Sequence, residues 1–147
     1  MPLLLTMKEA SKDLLVPDTR TKLIKPLDSF LIMEIDRFNA LLRVVNRGLE
    51  QLRSALKGEV SMTAETDEIY DSFVKKRIPR FWRRHSYLTQ RNLGNWYNNL
   101  VERVAYLRDW VVYNQPSKFW IAGFFLPQSF VTSVMQTASR ASQCEID

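Results

Sequence analysis

The sequence contains only one cysteine and one histidine among its 147 residues, and this scarcity removes several kinds of site. A single thiol, Cys144, excludes an internal disulfide and is typical of a protein kept in a reducing, intracellular setting. One thiol and one imidazole are also too few for a clustered zinc or haem site. We therefore expect no metal ion and no cofactor.

Glycine is also scarce, and its four positions exclude a nucleotide-binding loop of the G-x-x-x-x-G-K-[ST] type. His85 lies among arginines and has no nearby acid to orient it as a general base. Cys144 lies in the polar tail "SRASQCEID", where nothing activates a thiol. We expect no catalytic residue and no enzymatic activity, and turnover of ATP by the purified protein would contradict this.

Long hydrophobic runs are absent in the form that a membrane helix requires. The longest uncharged run, Phe119 to Ser139, has 21 residues but includes seven polar side chains and Pro127, so we expect no membrane span. The opening "MPLLLTMKEA" is too short for a signal peptide. The run predicts a buried extended stretch, "FWIAGFFL", followed by a helix that begins at Pro127. The spacing of its apolar residues predicts one apolar face on that helix, formed by Phe130, Val134 and Ala138 with Val131 and Met135.

The strongest pattern that is present is a seam of apolar residues between Leu27 and Lys57. Its members alternate in steps of four and three, which predicts one long helix: Leu31, Ile35, Phe38, Leu42, Val45, Leu49, Leu52 and Leu56. Gly58 follows where a left-handed cap would end the helix. At about 1.5 Å per residue the helix would be roughly 45 Å long, whereas a compact domain of this size has a radius of gyration of about 15 Å. We therefore expect the seam to pack against something outside these residues.

Three further helices are predicted. Leu93, Tyr97, Leu100, Val104, Leu107 and Val111 form a second seam, flanked by Trp96 and Trp110, in a helix that ends by Asn114. Thr63 can cap a shorter helix whose inner face is Ile69 and Phe73. Thr6 and Glu9 have capping-box spacing for a helix to about Leu15. The fold class is all-α: a long helix with a seam packed against several shorter helices, in an elongated helical bundle.

The segment "KKRIPRFWRRHSY", Lys75 to Tyr87, interleaves cations with aromatic residues, and two interpretations compete for it. A freestanding basic helical adaptor could bind nucleic acid through residues 75–91 by phosphate neutralisation and base stacking. Alternatively, the segment is a loop that anchors its aromatic residues in the core while its cations stay solvated or pair with the acids just upstream. The net charge is only +5 and the acids adjoin the bases, so we favour the second interpretation and expect no nucleic acid as partner.

Three segments of the sequence contain recognisable motifs, taken in order. The first, Pro26 to Phe73, begins "PLDSFLIMEIDRFNALL" and includes "LKG". The second, Ile78 to Trp110, includes "SYL" and "NWYNNLVERVAYLRDW", and the third is "FWIAGFFLPQSFVTSVMQ". Together they resemble the C-terminal region of dynein heavy chains, and the third, which is similar to the family pattern "FWLSGFFFPQ.FLT.VLQ", is the most specific. The sequence departs from the family at Leu88, at Asn92 and at Thr137 to Ser139, and it lacks a later "GLFLEGA.WD"-like stretch.

The resemblance implies a non-catalytic part of a motor. In the family, ATP is hydrolysed by a ring of AAA+ modules, and the C-terminal region lies across one face of that ring. We expect this segment to brace the ring and to tune microtubule-based motility, in the cytoplasm and cytoskeleton or in a cilium or flagellum axoneme. Its expected partners are the remaining ring modules and other dynein subunits, with microtubules only indirectly and no membrane.

The resemblance also implies domain boundaries and a set of structural or interface residues. We expect residues 1–25 to be a leader, as at the end of the last AAA+ lid, and residues 26–147 to be the first part of a longer C-terminal domain. We also expect the isolated protein to self-associate. The seam contributes Leu31, Ile35 and Phe38 to the expected structural or interface residues. The resemblance implies the others: Glu34, Arg37, Asn39, Gly58, Trp82, Trp96, Trp110, Trp120, Gly123 and Pro127.

Two of these expectations concern single side chains. Glu34 and Asp36 flank Ile35 and are expected on the solvent side of the long helix, where Glu34 can pair with Arg37 three residues later or reach a neighbouring module. As an exposed pair this would contribute only about 0.3 kcal/mol, and burial would make breaking it more costly. Trp120→Ala is expected to cost roughly 3–5 kcal/mol if the ring is buried, and less than about 1 kcal/mol if it is exposed.

Overall fold

The computed structural model describes residues 25–113 and 115–146, with side chains described through Ser142. The described residues contain no strand, which confirms the all-α prediction. A single 3-10 turn, Ile121–Gly123, precedes the last helix. The predicted helix from Thr6 to Leu15 lies outside the described residues. The α-helices are α1 (Pro26–Leu56), α2 (Ala64–Val74), α3 (Arg80–His85), α4 (Leu93–Tyr113) and α5 (Pro127–Ile146).

The described residues divide into two compact units, and α1 and α4 each contribute to both. The first unit comprises residues 38–104, and the second comprises residues 25–37 with residues 105–146. The first unit therefore contains the later part of α1, all of α2 and α3, and the start of α4. The second contains the start of α1, the end of α4, the 3-10 turn and α5.

The long helix predicted from the first seam is confirmed as α1. Six seam residues are at most 5% exposed: Leu31, Ile35, Phe38, Leu42, Val45 and Leu52. The expectation that the seam packs against something outside these residues is therefore wrong for this part of it. Leu49 is half-buried, and Leu56 is 62% exposed because the helix ends there. Gly58 follows at φ 78°, as predicted for a left-handed cap.

In the first unit, α1, α2 and α3 are held together around Trp82. A Cβ added to Gly48 of α1 would lie 2.9 Å from the Trp82 Nε1 and 3.1 Å from the Ile69 Cδ1, so only glycine lets the indole approach α1 this closely. The Trp82 ring also stacks with Trp96 at 6.2 Å between centroids, and Phe73 of α2 meets its edge at 5.6 Å. Thr63 caps α2 as predicted, with Thr66 as the reciprocal partner.

In the second unit the core is a cluster of aromatic rings. Phe30 of α1 meets Phe124 at 4.9 Å and Phe130 at 5.5 Å, both edge to face. Phe119 links this group to Trp110 of α4, with centroids 5.4 Å apart. Such pairs contribute about 0.5–1.5 kcal/mol each beyond the apolar area they bury. The aromatic residues of "FWIAGFF" therefore join α1, α4 and α5 into one cluster.

Two details of the uncharged run differ from the sequence prediction. The stretch "FWIAGFFL" is not fully extended or fully buried, because it includes the 3-10 turn and an exposed Ile121. The helix begins at Pro127 as predicted, but of its expected apolar face only Phe130 is buried, whereas Val131, Val134 and Met135 are between 41% and 67% exposed. Within the described residues, no helix has the length and hydropathy needed to cross a bilayer.

Candidate functional site

The most specific polar site in the structure is the carboxylate of Glu34, which lies in the second unit. The Phe125 N–H donates to its Oε2 at 2.6 Å, and the Leu126 N–H donates to its Oε1 at 3.1 Å. The Arg37 Nη1 donates to Oε1 at 3.2 Å. Charge-assisted bonds of this kind are about twice as strong as bonds between neutral groups. One side chain of α1 therefore fixes a segment more than 90 residues later in the sequence.

The expected solvent position of Glu34 is wrong. Glu34 has no exposed surface, whereas Asp36, two residues later, is exposed. Residues two apart point to nearly opposite sides of a helix. Because one side of α1 is buried along the seam, only one of the two acids can face the solvent. The predicted pairing with Arg37 is confirmed, and the Arg37 side chain is 26% exposed.

The carboxylate lies at the start of α5, where the local electrostatics favour a negative charge. Pro127, the first residue of α5, has no N–H, so the last available amides before it are those of Phe125 and Leu126. Both point to the carboxylate, and the helix dipole adds a partial positive charge at this end. Glu34 therefore stabilises the beginning of α5 without belonging to it.

Next to this anchor, Gly123 and Trp120 make an unusually close contact. A Cβ added to Gly123 would lie 2.4 Å from the Trp120 Cδ2 and Cε3, and Gly123 is buried. The backbone N–H of Trp120 donates to the Tyr106 hydroxyl at 3.2 Å, and the two aromatic rings meet edge to face with their centroids 6.0 Å apart. Burial raises the pKa of Tyr106, and this hydrogen bond opposes the rise.

We expect Gly123→Ala to lower the free energy of unfolding by about 2 kcal/mol, because the added methyl overlaps the Trp120 ring. Trp120 is half-buried, between the two cases predicted from the sequence, so Trp120→Ala should itself cost about 2 kcal/mol. The measurement is urea unfolding of both single variants and the double variant. If the overlap is the cause, Gly123→Ala should cost almost nothing once Trp120 is alanine, and simple additivity would show that it is not.

The first unit contains a second polar site, a buried network around Tyr87. Its hydroxyl donates to the Asn99 Oδ1 at 3.0 Å, and the Arg103 Nε donates to the same oxygen at 2.8 Å. The guanidinium carbon of Arg103 lies 3.7 Å from the centre of the Tyr87 ring. The Trp96 Nε1–H donates to the Ser86 Oγ at 2.9 Å. These contacts hold the "SY" dipeptide against α4.

Burial raises the pKa of Tyr87 to about 12, and the charges of Arg103 and Arg91 oppose the rise. Since the unfolded hydroxyl titrates near 10.0, the stabilisation is complete below pH 10 and is lost as the pH rises towards 12. Tyr87→Phe should cost about 1 kcal/mol at pH 7 through the lost hydrogen bond. Urea unfolding at pH 7 and pH 11 should show this deficit shrinking at the higher pH, and a deficit that grows would contradict the assignment.

The structure buries most residues that the sequence singled out as structural, although it distributes them between the two units. Arg37 and Trp120 are half-buried, whereas Gly58 and Pro127 are exposed. The burial of these residues within the protein does not test whether any of them contacts another module. The buried members are Leu31, Glu34, Ile35, Phe38, Asn39, Trp82, Trp96, Trp110 and Gly123.

The structure confirms that the aromatic residues of "KKRIPRFWRRHSY" are mainly core residues. The prediction of a loop is wrong for its centre, because Arg80–His85 forms α3. Trp82 and Tyr87 are 2% and 4% exposed, whereas Phe81 is 43% exposed and packs against His85. The predicted pairing with upstream acids occurs once among the described residues, between the Lys75 Nζ and the Asp71 Oδ2 at 2.8 Å. The alternative interpretation, binding of nucleic acid through residues 75–91, is not tested by these contacts.

Sequence reasoning missed the partners of several of these residues. Asn99 lies four residues before Arg103 on α4, a spacing that brings side chains together, but nothing indicated that Tyr87 would reach it. The partners of Glu34 are backbone N–H groups, so the side chains of Phe125 and Leu126 gave no indication of this contact in the sequence. No group of side chains that could hold a metal ion occurs in the part of the protein that the structure describes.

Comparison with known proteins gives a consistent result over all 147 residues. The family described as the C-terminal domain of the dynein heavy chain matches residues 1–147. The protein is 36% identical over its full length to human dynein axonemal heavy chain 6, and it covers 4% of that protein. Over 82% of its length it is 36% identical to mouse dynein axonemal heavy chain 3 and 34% identical to mouse dynein axonemal heavy chain 12, covering 3% and 4% of them. It thus spans only a small part of the length of these relatives.

Proposed function

From the premise that the protein belongs to the family of C-terminal domains of dynein heavy chains, we propose that it is a non-catalytic brace for the AAA+ ring of such a motor. In this role it tunes microtubule-based, ATP-driven movement and itself hydrolyses nothing. The remaining ring modules of the same motor polypeptide are its direct partners, and it meets microtubules only indirectly. Because the similar proteins are named as axonemal heavy chains, the proposed location is the axoneme of a cilium or flagellum.

The observation that carries the proposal is the Glu34 anchor. A brace must transmit force without deforming, and a buried carboxylate with two backbone donors and one guanidinium joins α1 rigidly to the start of α5. Phe124 directly precedes the two anchored amides in the sequence, and its ring packs against Phe30 and Phe130. The aromatic cluster of the second unit therefore holds the same segment as the Glu34 carboxylate. A flexible linker would have neither feature.

The proposal is tested in a full dynein motor that contains this segment, with Glu34→Ala as the variant and Asp36→Ala as the matched control. We expect Glu34→Ala to keep basal ATP turnover, because the nucleotide sites lie elsewhere, and to lower the velocity of microtubule gliding. The Asp36→Ala motor should move like the unmodified motor. Unchanged gliding by the Glu34→Ala motor would refute a bracing role.

The exposed apolar residues of α5 support the expectation that the isolated protein self-associates. Val131, Val134 and Met135 lie within two turns of one helix and are all more than 40% exposed. We expect sedimentation velocity to show a concentration-dependent increase in mass for the 147-residue protein, and Met135→Glu to reduce it. A single monomeric species at all concentrations would contradict this prediction.

A further inference from the structure

The first unit has an open groove of about 600 Å³ that the proposed function does not use. Its walls come from α1, from the end of α2, from Trp82 of α3, and from the beginning of α4. Most of its surface is apolar, and Val45, Leu49, Phe73 and Leu93 line it. A groove of this volume, formed between helices and lined by aliphatic and aromatic side chains, has the form that holds a bulky apolar group.

The lining of the groove carries one charge, and it is positive. Lys76 is the only charged residue among the lining residues. It is exposed and, within residues 25–113 and 115–142, it forms no ion pair. The Lys76 cation is therefore available to a carboxylate from outside.

The backbone that carries Lys76 is fixed in position. Lys76 has φ 55°, in the left-handed region that residues other than glycine seldom adopt. Its carbonyl oxygen accepts a hydrogen bond from the Leu93 N–H at 3.2 Å, which ties the turn after α2 to the first residue of α4. The Lys76 backbone and the apolar wall beside it therefore keep a constant spacing, which limits the positions that the ammonium group can reach.

We propose that this groove binds an acidic amphipathic segment of another polypeptide. The bulky apolar side chains of the segment enter between Leu49, Phe73 and Leu93, and a carboxylate of the segment meets Lys76. An amphipathic helix in an apolar groove with a charged rim is a recurrent mode of peptide recognition. Nucleic acid fits less well, because the flat faces of Trp82 and Tyr87 that could stack on bases are buried.

The test uses the 147-residue protein and a fluorescent synthetic helical peptide with leucines four residues apart and glutamates beside them. Three comparison probes are the same peptide with lysines for glutamates, the same peptide with alanines for leucines, and a single-stranded RNA oligonucleotide. Fluorescence anisotropy should show saturable binding of the acidic leucine peptide, with each comparison probe at least about 10-fold weaker. Tighter binding of the oligonucleotide, or equal binding of the lysine peptide, would overturn the proposal.

Two variants locate the binding. Lys76→Glu should weaken the acidic peptide by about 10-fold, because it reverses a charge at the rim. Arg43→Glu, the same charge change at an exposed position of α1 outside the groove lining, should leave the affinity within about 2-fold. Circular dichroism checks that both variants keep their helix content. Equal loss in both variants would show that net charge, rather than this groove, accounts for the binding.

Discussion

Glu34→Ala is expected to lower the free energy of unfolding by about 3 kcal/mol. The substitution leaves the N–H groups of Phe125 and Leu126 without their acceptor, and each unsatisfied donor that stays away from water costs about 1–3 kcal/mol. It also leaves the Arg37 guanidinium without its carboxylate. Because Leu126 is 43% exposed, water can replace part of the loss at that amide, so we place the cost below the sum of the separate terms. Urea unfolding followed by circular dichroism measures the effect.

Two comparisons show whether the amide bonds or the ion pair cause the loss at Glu34. Asp36→Ala removes an exposed acid from the same helix and should change the stability by less than about 0.5 kcal/mol. Arg37→Ala removes only the ion-pair partner, whose side chain is 26% exposed, and should cost less than about 1 kcal/mol. If Arg37→Ala costs as much as Glu34→Ala, the ion pair carries the stability and the anchor at the start of α5 does not.

Trp96→Ala should cost about 3–5 kcal/mol, within the range for deletion of a large buried aromatic side chain. Trp96 has no exposed surface, its ring stacks on Trp82, and its indole N–H donates to the Ser86 Oγ. Removing the ring leaves a cavity beside Trp82 and an unpaired hydroxyl that is not fully accessible to water. The same urea unfolding experiment measures this loss.

Trp96→Phe separates the cost of the lost ring volume from the cost of the lost hydrogen bond to Ser86. It keeps most of the apolar volume and removes the hydrogen bond, so it should cost about 1–2 kcal/mol. Ser86→Ala removes only the acceptor and serves as the second control. A loss below about 1 kcal/mol for Trp96→Ala would mean that the site collapses around the missing ring or that the ring is not buried in solution.

Much of the fold could be read from the spacing of apolar residues, because helical periodicity is a local property of the sequence. The start of α5 at Pro127 and the left-handed turn at Gly58 are as predicted, and each limit of α1 lies within one residue of the prediction. The second seam is also present, but its most buried members include Trp96 and Trp110, which the pattern placed at its sides. Periodicity shows which face of a helix is buried, whereas the residues at the centre of that face depend on the element that packs against it.

The candidate sites were less predictable, because each depends on groups far apart in the sequence. The pairing of Glu34 with Arg37 follows from their spacing of three, but the burial of Glu34 follows from two backbone amides near residue 125. Backbone amides are the same in every residue except proline, so no sequence pattern marks them as partners. The groove beside Lys76 likewise depends on how α1, α2, α3 and α4 meet in the first unit.

The sequence by itself determined that this protein is helical, where α1, α2, α4 and α5 run, and that it resembles dynein heavy chains, since these follow from local periodicity and from motifs in order. The short α3 lies in a segment that was predicted to be a loop. The tertiary structure alone decided that Glu34 is an internal anchor, that Tyr87 is held by Asn99 and Arg103, and that α5 leaves much of its apolar face exposed. The physical reason is that burial is a property of contacts between distant segments. A residue's own neighbours in the sequence determine which face it occupies but not what covers that face.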